Sequence, residues 1–532
     1  MRRFFIVGVI IIIAFNAVIA TVYPPVLYSL LLFGPLIILG FYDFFQPKKA
    51  VLRNFPILGH FRYLMEAIRP EIRQYFIESD TEGMPFGRDE RSVIYQRAKN
   101  VRDTVAFGTM ENVYAAGYEW VNHSLHPQHV DPESLRVTIG GPRCSKPYSA
   151  SVLNISAMSF GSLSNRAVRA MGLGAKMGGF AQNTGEGGLS PYHDQTGADL
   201  IWQIGTGYFG CRDEHGNFNQ NLFREKATRD NVKMIEIKLS QGAKPGHGGI
   251  LPAAKLTKEI AEIRHVPMGR DVNSPPAHTA FGTPTELLHF VQHLRELCDG
   301  KPVGFKLCVG NPYEFAAICK AMIATDITPD FITVDGGEGG TGAAPLEFTN
   351  HIGTPMVEGL VTVHNLLKGF GLRSKVRIIV AGKVSSGFSL VKRLALGADI
   401  CYSARAMMMA TGCIQAMKCN TNHCPVGVAT QDPALIAGLN VADKSHRVAS
   451  YHRQVLHSLA EMLGAMNVAH PGLLRPRHIL RRNDDNTVKR YDEIFSYIES
   501  GSLLPEGSQP EPYAMWARLA SADSFAPAGK FA

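Results

Sequence analysis

The chain has 532 residues, 45% of them hydrophobic and 19% charged, with 52 glycines, 9 cysteines and a formal net charge of +8. So apolar a composition excludes a disordered chain, and the length suits one large domain with appendages. Lysine and arginine are scattered, with no basic stripe carrying interleaved aromatics, which argues against a nucleic-acid partner.

The chain opens with two apolar runs, 4–21 (FFIVGVIIIIAFNAVIAT) and 26–42 (VLYSLLLFGPLIILGFY). Each is about the ~20 residues that cross a hydrocarbon core, and the Gly34–Pro35 break is tolerable in a membrane helix. Arg2 and Arg3 precede the pair, while Lys48, Lys49 and Arg53 follow it. The positive-inside rule then keeps both ends, and the rest of the chain, on the cytoplasmic side of an inner membrane. A cleaved signal peptide competes, because Arg2-Arg3, an apolar stretch and Val18-Ile19-Ala20 fit its outline. The second apolar run counts against it. So do Cys144, Cys211, Cys298, Cys308, Cys319 and Cys401, which lie singly in apolar runs and read as reduced thiols. The expected division is a hairpin over 1–45, a lead-in over 46–150, a main domain over 151–470 and a tail over 471–532.

In the lead-in, the basic amphipathic stretch 58–76 suits either a membrane surface or an ordinary packed helix. Gly87, Asp103 and Gly108 read as punctuation between short strands. From 152 onward the rhythm changes. Apolar, β-branched runs at 153–159, 179–185, 200–205, 234–240, 303–309, 331–337, 376–382 and 400–405 alternate with mostly helix-length segments. Eight such strands predict an α/β fold, a closed parallel (β/α)8 barrel whose strands are buried on both faces. An open doubly wound sheet is the runner-up, but no strand is followed by a convincing GxGxxG; Gly172-Leu173-Gly174 sits inside a helical stretch. A helix is predicted over 445–468, and the tail after Leu504 reads as Pro-rich and poorly structured.

Chemistry in such barrels collects at the C-terminal strand ends. Strand one runs into Ala157-Met158-Ser159-Phe160-Gly161, and strand two carries Gln182 and ends in Asn183-Thr184-Gly185-Glu186-Gly187-Gly188. Strand four leads to Gln241-Gly242-Ala243-Lys244-Pro245-Gly246-His247. Strand five carries Lys306, and strand six opens into Asp335-Gly336-Gly337-Glu338-Gly339-Gly340. A lysine in an apolar strand is costly unless it meets an anion or a ligand, although a structural salt bridge would also account for it. Strands seven and eight end in Gly382-Lys383 and in Ser403-Ala404-Arg405, where barrels often bind phosphate. Beyond them lie Cys413, Cys419 and Cys424, the last followed by Pro425. These spacings match neither a zinc knuckle nor a CxxC oxidoreductase. A terminal Cys-Pro is common at iron–sulfur sites, and three thiolates fit a cluster lacking one iron. His423 could complete a Cys3His zinc site, though it adjoins Cys424 directly.

The stretch 413–431 (CIQAMKCNTNHCPVGVATQ) resembles the cluster segment of glutamate synthases. Ala157–Gly161, Asn183–Gly188, Gln241–Pro252, Ser274-Pro275-Pro276 and Gly336–Pro345 resemble other parts of that family, so the likeness covers roughly 150–470. It implies FMN held by Ala157, Met158, Ser159, Gln182, Lys306, Gly336, Gly337, Gly339, Gly340, Gly382, Lys383, Ser403, Ala404 and Arg405. It also implies a 3Fe–4S cluster on the three cysteines. The chemistry implied is reductive amination of 2-oxoglutarate with ammonia to glutamate, an oxidoreductase acting on CH–NH2 donors. Lys306 would face the flavin, stabilising its reduced anion, with Glu186 and Lys244 on the substrate side.

The departures are informative. The chain begins Met1-Arg2 with an apolar hairpin where large family members carry an amidotransferase domain, so ammonia is expected from outside or from a separate amidotransferase subunit. His247 stands where the family carries Glu. No nicotinamide fingerprint is evident, which implies an external electron donor: a ferredoxin, a reductase subunit or a membrane carrier. A homo-oligomer is expected. Two rival readings are a related FMN enzyme with another amino-acid substrate, such as N-methylglutamate, and a membrane-docked electron-transfer module.

Overall fold

The computed structural model describes residues 1–101, 104–141, 143–484 and 487–528. The chain divides into two compact units, Met1–Arg88 and Asp89–Ala532.

In the first unit, helix Arg2–Ala20 is followed by a 3-10 turn, Pro24–Ser29, that runs into helix Leu30–Phe45. Both are long and apolar enough to cross a membrane, counting 19 and, with the turn, 22 residues. Asn16 and Ser29 are satisfied within the pair: Ser29 Oγ donates to Asn16 Oδ1 at 2.6 Å, and Asn16 Nδ2 donates to Ile12 O at 2.9 Å. Such pairing removes the cost of a bare amide on an apolar helix. Asp43, fully buried, accepts from Ile57 N at 3.0 Å and contacts His60 Nε2 at 2.9 Å, which clasps the second helix to helix Gly59–Ile72.

The second unit is built on a closed barrel of eight parallel strands in sequential order. They are Leu153–Ile155, Ala181–Asn183, Asp199–Ile204, Val232–Lys238, Val303–Leu307, Phe331–Asp335, Arg377–Ala381 and Ile400–Ser403, strands one to eight below. Each falls within or beside one of the eight apolar runs, because a strand covered by helices outside and side chains inside must be apolar on both faces. A hairpin of Arg136–Ile139 with Tyr148–Ser151 closes the N-terminal end. Its Ile139, Tyr148 and Ala150 pack with Ala181, Ile201, Met234, Phe331, Ile379 and Ile400 in one buried cluster.

Two local expectations fail, and a third holds with shifted ends. Residues 88–99 form a helix, not short strands: acidic Asp89 and Glu90 open it, Arg97 and Lys99 close it, and Ile94 and Ala98 are buried. That charge order suits the helix dipole. Asp103 lies outside the described residues. Residues 505–528 are held by contacts and are not a loose tail. Helix Tyr513–Leu519 buries Ala514 and Ala517, and the hydroxyl of Tyr513 accepts from Asn365 Nδ2 at 2.6 Å. Just beyond it, Ala520 O accepts from Lys320 Nζ and Ala522 O from Thr285 Oγ1. The predicted 445–468 helix is the later part of a longer one, Val441–Ala465, capped by Asn440.

Candidate functional site

Strand four sets the polar axis of the barrel. Glu236 is fully buried inside it; its Oε1 accepts from Asn183 Nδ2 at 2.8 Å and Gln203 Nε2 at 2.7 Å, and its Oε2 from Thr333 Oγ1 at 2.6 Å. Two residues on, strand periodicity turns Lys238 to the same interior face. Its Nζ donates to Glu186 Oε1 at 2.6 Å and Gln241 Oε1 at 3.1 Å. Lys306 is the register partner of Lys238 on strand five and pairs with Asp335 Oδ2 at 3.4 Å. The same Asp335 oxygen accepts from Gly242 N at 3.0 Å. Two buried lysines thus stand side by side at the C-terminal mouth, each with its own carboxylate. Burial alone would lower the pKa of Lys306, but Asp335 and Glu236 outweigh it and hold the ammonium charged.

Glu186 is the anion on which the loops converge. Burial would raise its pKa; the Lys238, Lys244 and Arg264 cations together hold it below the ordinary carboxylate range. Lys244 donates to Gly248 O at 2.7 Å, and burial together with neighbouring Lys238 brings its pKa down to about 8. Arg264 is buried from helix Lys258–Arg264; its Nη2 donates to Phe160 O at 3.2 Å and its guanidinium lies 5.1 Å from the Phe209 ring centre. Burial lowers its pKa to about 10, with Glu186 opposing. One carboxylate among three cations leaves positive charge for an incoming anion. Gly205 makes room for the arrangement, since a Cβ there would meet Glu186 Oε2 at 2.6 Å. Glu186, Lys238, Gln241, His247, Gly248 and Pro276 line a cleft of about 10 Å³, roughly the space of one water. A larger cavity, about 370 Å³, lies away from these groups; its Lys226 and Arg229 are engaged by Gly210 O and Asp194.

The loops after strands six to eight form the other half of the mouth. Gly336 N donates to Ala381 O and Gly337 N to Thr354 O, both at 2.9 Å, while Gly339 N bonds back to Gly336 O. Arg405 donates to Glu338 O at 2.5 Å, and a Cβ on Gly340 would lie 3.2 Å from its Nη1. Arg393, fully within the protein, braces the turn after strand seven by donating to Gly382 O at 2.7 Å and Lys383 O at 3.1 Å. Lys383 itself sits at φ +46°, a left-handed conformation uncommon for a residue other than glycine. Ser403 Oγ donates to Val384 O at 2.8 Å, joining the end of strand eight, where Ala404 follows, to this turn. A glycine-lined backbone carrying Lys383 and Arg405 fits a phosphate-bearing cofactor.

On the loop after strand one, Met158 N meets Asn183 O at 3.5 Å, and Ser159 Oγ lies 3.5 Å from Arg264 Nη2, which places Ala157, Met158 and Ser159 beside strand two's loop. Gln182 is not brought to the mouth. Its Nε2 donates to Val168 O on helix Asn165–Gly178, because the strand's alternation turns Asn183 inward instead.

The cysteine segment docks on the loop after strand one. Gln431 Nε2 donates to Gly161 O and Leu163 O, and Ser164 Oγ donates to Gly427 O at 2.6 Å. Burial pushes the Cys413 thiol up to about 11, with Cys419 and Cys424 adding to the rise; burial and Cys424 also raise Cys419. Among the described residues no three His, Cys, Asp or Glu side chains converge on a point that would hold one metal ion. The three thiols act on one another electrostatically, which places them in one neighbourhood.

Sequence reasoning missed Lys238, Arg264 and Arg393. Lys238 carried the signal already used for Lys306, a cation in an apolar strand.

A family model described as "Conserved region in glutamate synthase" matches residues 126–469. The glutamate synthase large subunit-like protein YerD of Bacillus subtilis (strain 168) is 37% identical over 496 residues, 86% of this chain and 94% of that protein. The archaeal glutamate synthase (NADPH) of Archaeoglobus fulgidus is 36% identical over 315 residues, 59% of this chain and 58% of that protein. The glutamate synthase (NADPH) large chain of Bacillus subtilis is 32% identical over 318 residues, 58% of this chain and 20% of its own length. The chain thus spans most of the first relative but less than two thirds of the other two.

Proposed function

This chain belongs to the glutamate synthase family, and from that premise we propose that it is an FMN- and iron–sulfur-dependent oxidoreductase forming L-glutamate from 2-oxoglutarate and ammonia. The observation that carries the reading is Glu186 set among Lys238, Lys244 and Arg264 at the barrel mouth. A dicarboxylate substrate supplies the negative charge that those cations leave unmatched. Lys238 and Arg264 bind and orient it, and the loop 241–249 excludes water from above. Lys244, with a pKa near the working pH, holds a proton at Nζ that it can give to the oxygen leaving as the imine forms. Glu186, kept ionised, faces the nitrogen as it gains positive charge. FMN would be held by Lys306, by the Gly336–Gly340 backbone and by Lys383 and Arg405, and supplies the hydride. Cys413, Cys419 and Cys424 would hold a 3Fe–4S cluster, which supplies single electrons from an external donor.

The two N-terminal helices act, on this reading, as a membrane hairpin. Their outward faces are apolar, with Phe4, Ile10, Ile11, Leu31 and Ile38 at least 60% exposed. Deleting residues 1–45 should yield a soluble, yellow protein; a truncated chain that fails to bind flavin would place the hairpin within the folded core instead. The activity itself is tested by anaerobic turnover with 2-oxoglutarate, ammonium and a chemical reductant. Glutamate formation is the expected outcome, and its absence from protein loaded with flavin and iron would overturn the assignment.

A further inference from the structure

Lys255 reaches the cysteine segment from the long loop after strand four, and only 5% of it is exposed. Its Nζ donates to Cys419 O at 2.7 Å, Ala429 O at 3.1 Å and Ser162 O at 3.5 Å. All three acceptors are neutral carbonyls. The ionisable groups acting on it among the described residues are the thiols of Cys419 and Cys424. A buried ammonium without a carboxylate is costly unless some other anion neutralises it. Lys238 has Glu186, Lys306 has Asp335 and Arg295 has Asp330, while buried Lys301 and Arg393, like Lys255, donate to backbone carbonyls. What sets Lys255 apart is that the ionisable groups facing it are the thiols of Cys419 and Cys424.

We propose that Lys255 is the counter-charge of the cluster held by Cys413, Cys419 and Cys424, and that it raises the potential at which that cluster accepts an electron. The inference rests on the cluster reading above. Three thiolates make such a centre a net anion, and reduction by one electron from the external donor makes it more negative, with no proton or bond change. A fixed cation at close range in a poorly solvated site favours the more negative state. The same Nζ ties the segment (Cys419, Ala429) to the loop after strand one (Ser162), so Lys255 is a positioning residue and not one that touches substrate.

The test is an EPR-monitored redox titration of anaerobically purified full-length protein and two variants. Lys255→Gln keeps donors for the carbonyls without the charge, and Lys255→Arg keeps the charge. The Gln variant should retain cluster iron and the oxidised-cluster signal. Its ratio of oxidised to reduced cluster at fixed potential should rise about tenfold, a midpoint lower by about 59 mV for a one-electron couple. The Arg variant should titrate like the parent. Equal midpoints in all three proteins, or equal shifts in both variants, would overturn the proposal. So would loss of the cluster from both variants, which would make the role purely structural. A parent protein with no cluster signal or iron would defeat the cluster reading itself, and is recognised before any variant is made.

Discussion

The two ends of the barrel both bury ion pairs, but they are built to different ends. At the N-terminal end Asp330 and Arg295 are 2% and 3% exposed, and every polar atom at the contact has a protein partner. Asp330 Oδ1 accepts from Gly141 N, and Oδ2 accepts from Val303 N and from Arg295 Nε and Nη2. Arg295 also donates to Gln292 Oε1 and Thr328 O. Charges balance, and nothing is left over to bind. At the mouth the Lys238–Glu186 pair is joined by Lys244 and Arg264, so cations outnumber the carboxylate they surround. A balanced pair holds strands and hairpin together; an unbalanced one invites an anion. This is the division of a barrel into a stability face and a reaction face.

The largest effect that should separate the two ends is on stability. Asp330→Ala leaves Arg295 buried without its anion and should cost roughly 3–5 kcal/mol, read as a lower denaturation midpoint at unchanged slope. A loss below about 1 kcal/mol would show that the N-terminal pair is not the brace described here. Glu186→Gln should do the reverse. We expect kcat/KM for 2-oxoglutarate to fall about 100-fold, about 2.7 kcal/mol, with a smaller stability loss than Asp330→Ala. Near-normal kinetics in folded Glu186→Gln would remove this residue from the reaction.

Lys306→Ala should have a narrower effect. With the cation gone and Asp335 left beside the flavin, the FMN potential should drop by about 30 mV or more, since 30 mV in a two-electron couple is about 1.4 kcal/mol. Spectroelectrochemical titration reads it, and an unshifted potential with flavin bound would mean that Lys306 only braces strand five.

The smallest expected effect is a change of pH profile. Lys244 is charged below about 8 in the folded protein but up to its ordinary 10.5 in the unfolded chain. The unfolded chain therefore binds the extra proton between those values. The stability cost of burying the ammonium is present below pH 8 and is relieved as pH rises towards 10.5. Activity should run the other way, with kcat/KM falling above about pH 8 as Nζ loses its proton. Lys244→Met should lack that limb, and an identical limb in the variant would assign it to another group.

Much of this contrast was legible in the sequence, though unevenly. The eight strands read correctly because parallel strands buried on both faces leave apolar runs. Lys306 stood out as a charge within such a run, while the placing of Glu186 and Lys244 came only from the resemblance to glutamate synthases. Lys238 obeyed the same rule and was passed over, although its spacing of two from Glu236 placed both on one face. The closing hairpin escaped notice because Arg136 and Thr138 interrupt the apolar pattern of a four-residue strand. Arg264 and Lys255 were not readable at all. They reach the mouth and the thiols from segments well beyond the end of strand four, and only the folded chain brings them there. Gln182 misled because a strand end supplies residues to both faces and the sequence does not mark which one faces in.

The central claim, that the mouth is a reductive-amination site, is tested most directly by a single turnover. The protein is purified without air, its flavin is reduced with a stoichiometric chemical reductant, and 2-oxoglutarate is added with and without ammonium. We expect the flavin's visible absorbance to return only when both are present, with glutamate formed in proportion to the flavin reoxidised. Flavin that stays reduced with both substrates, or reoxidises equally without ammonium, would contradict it.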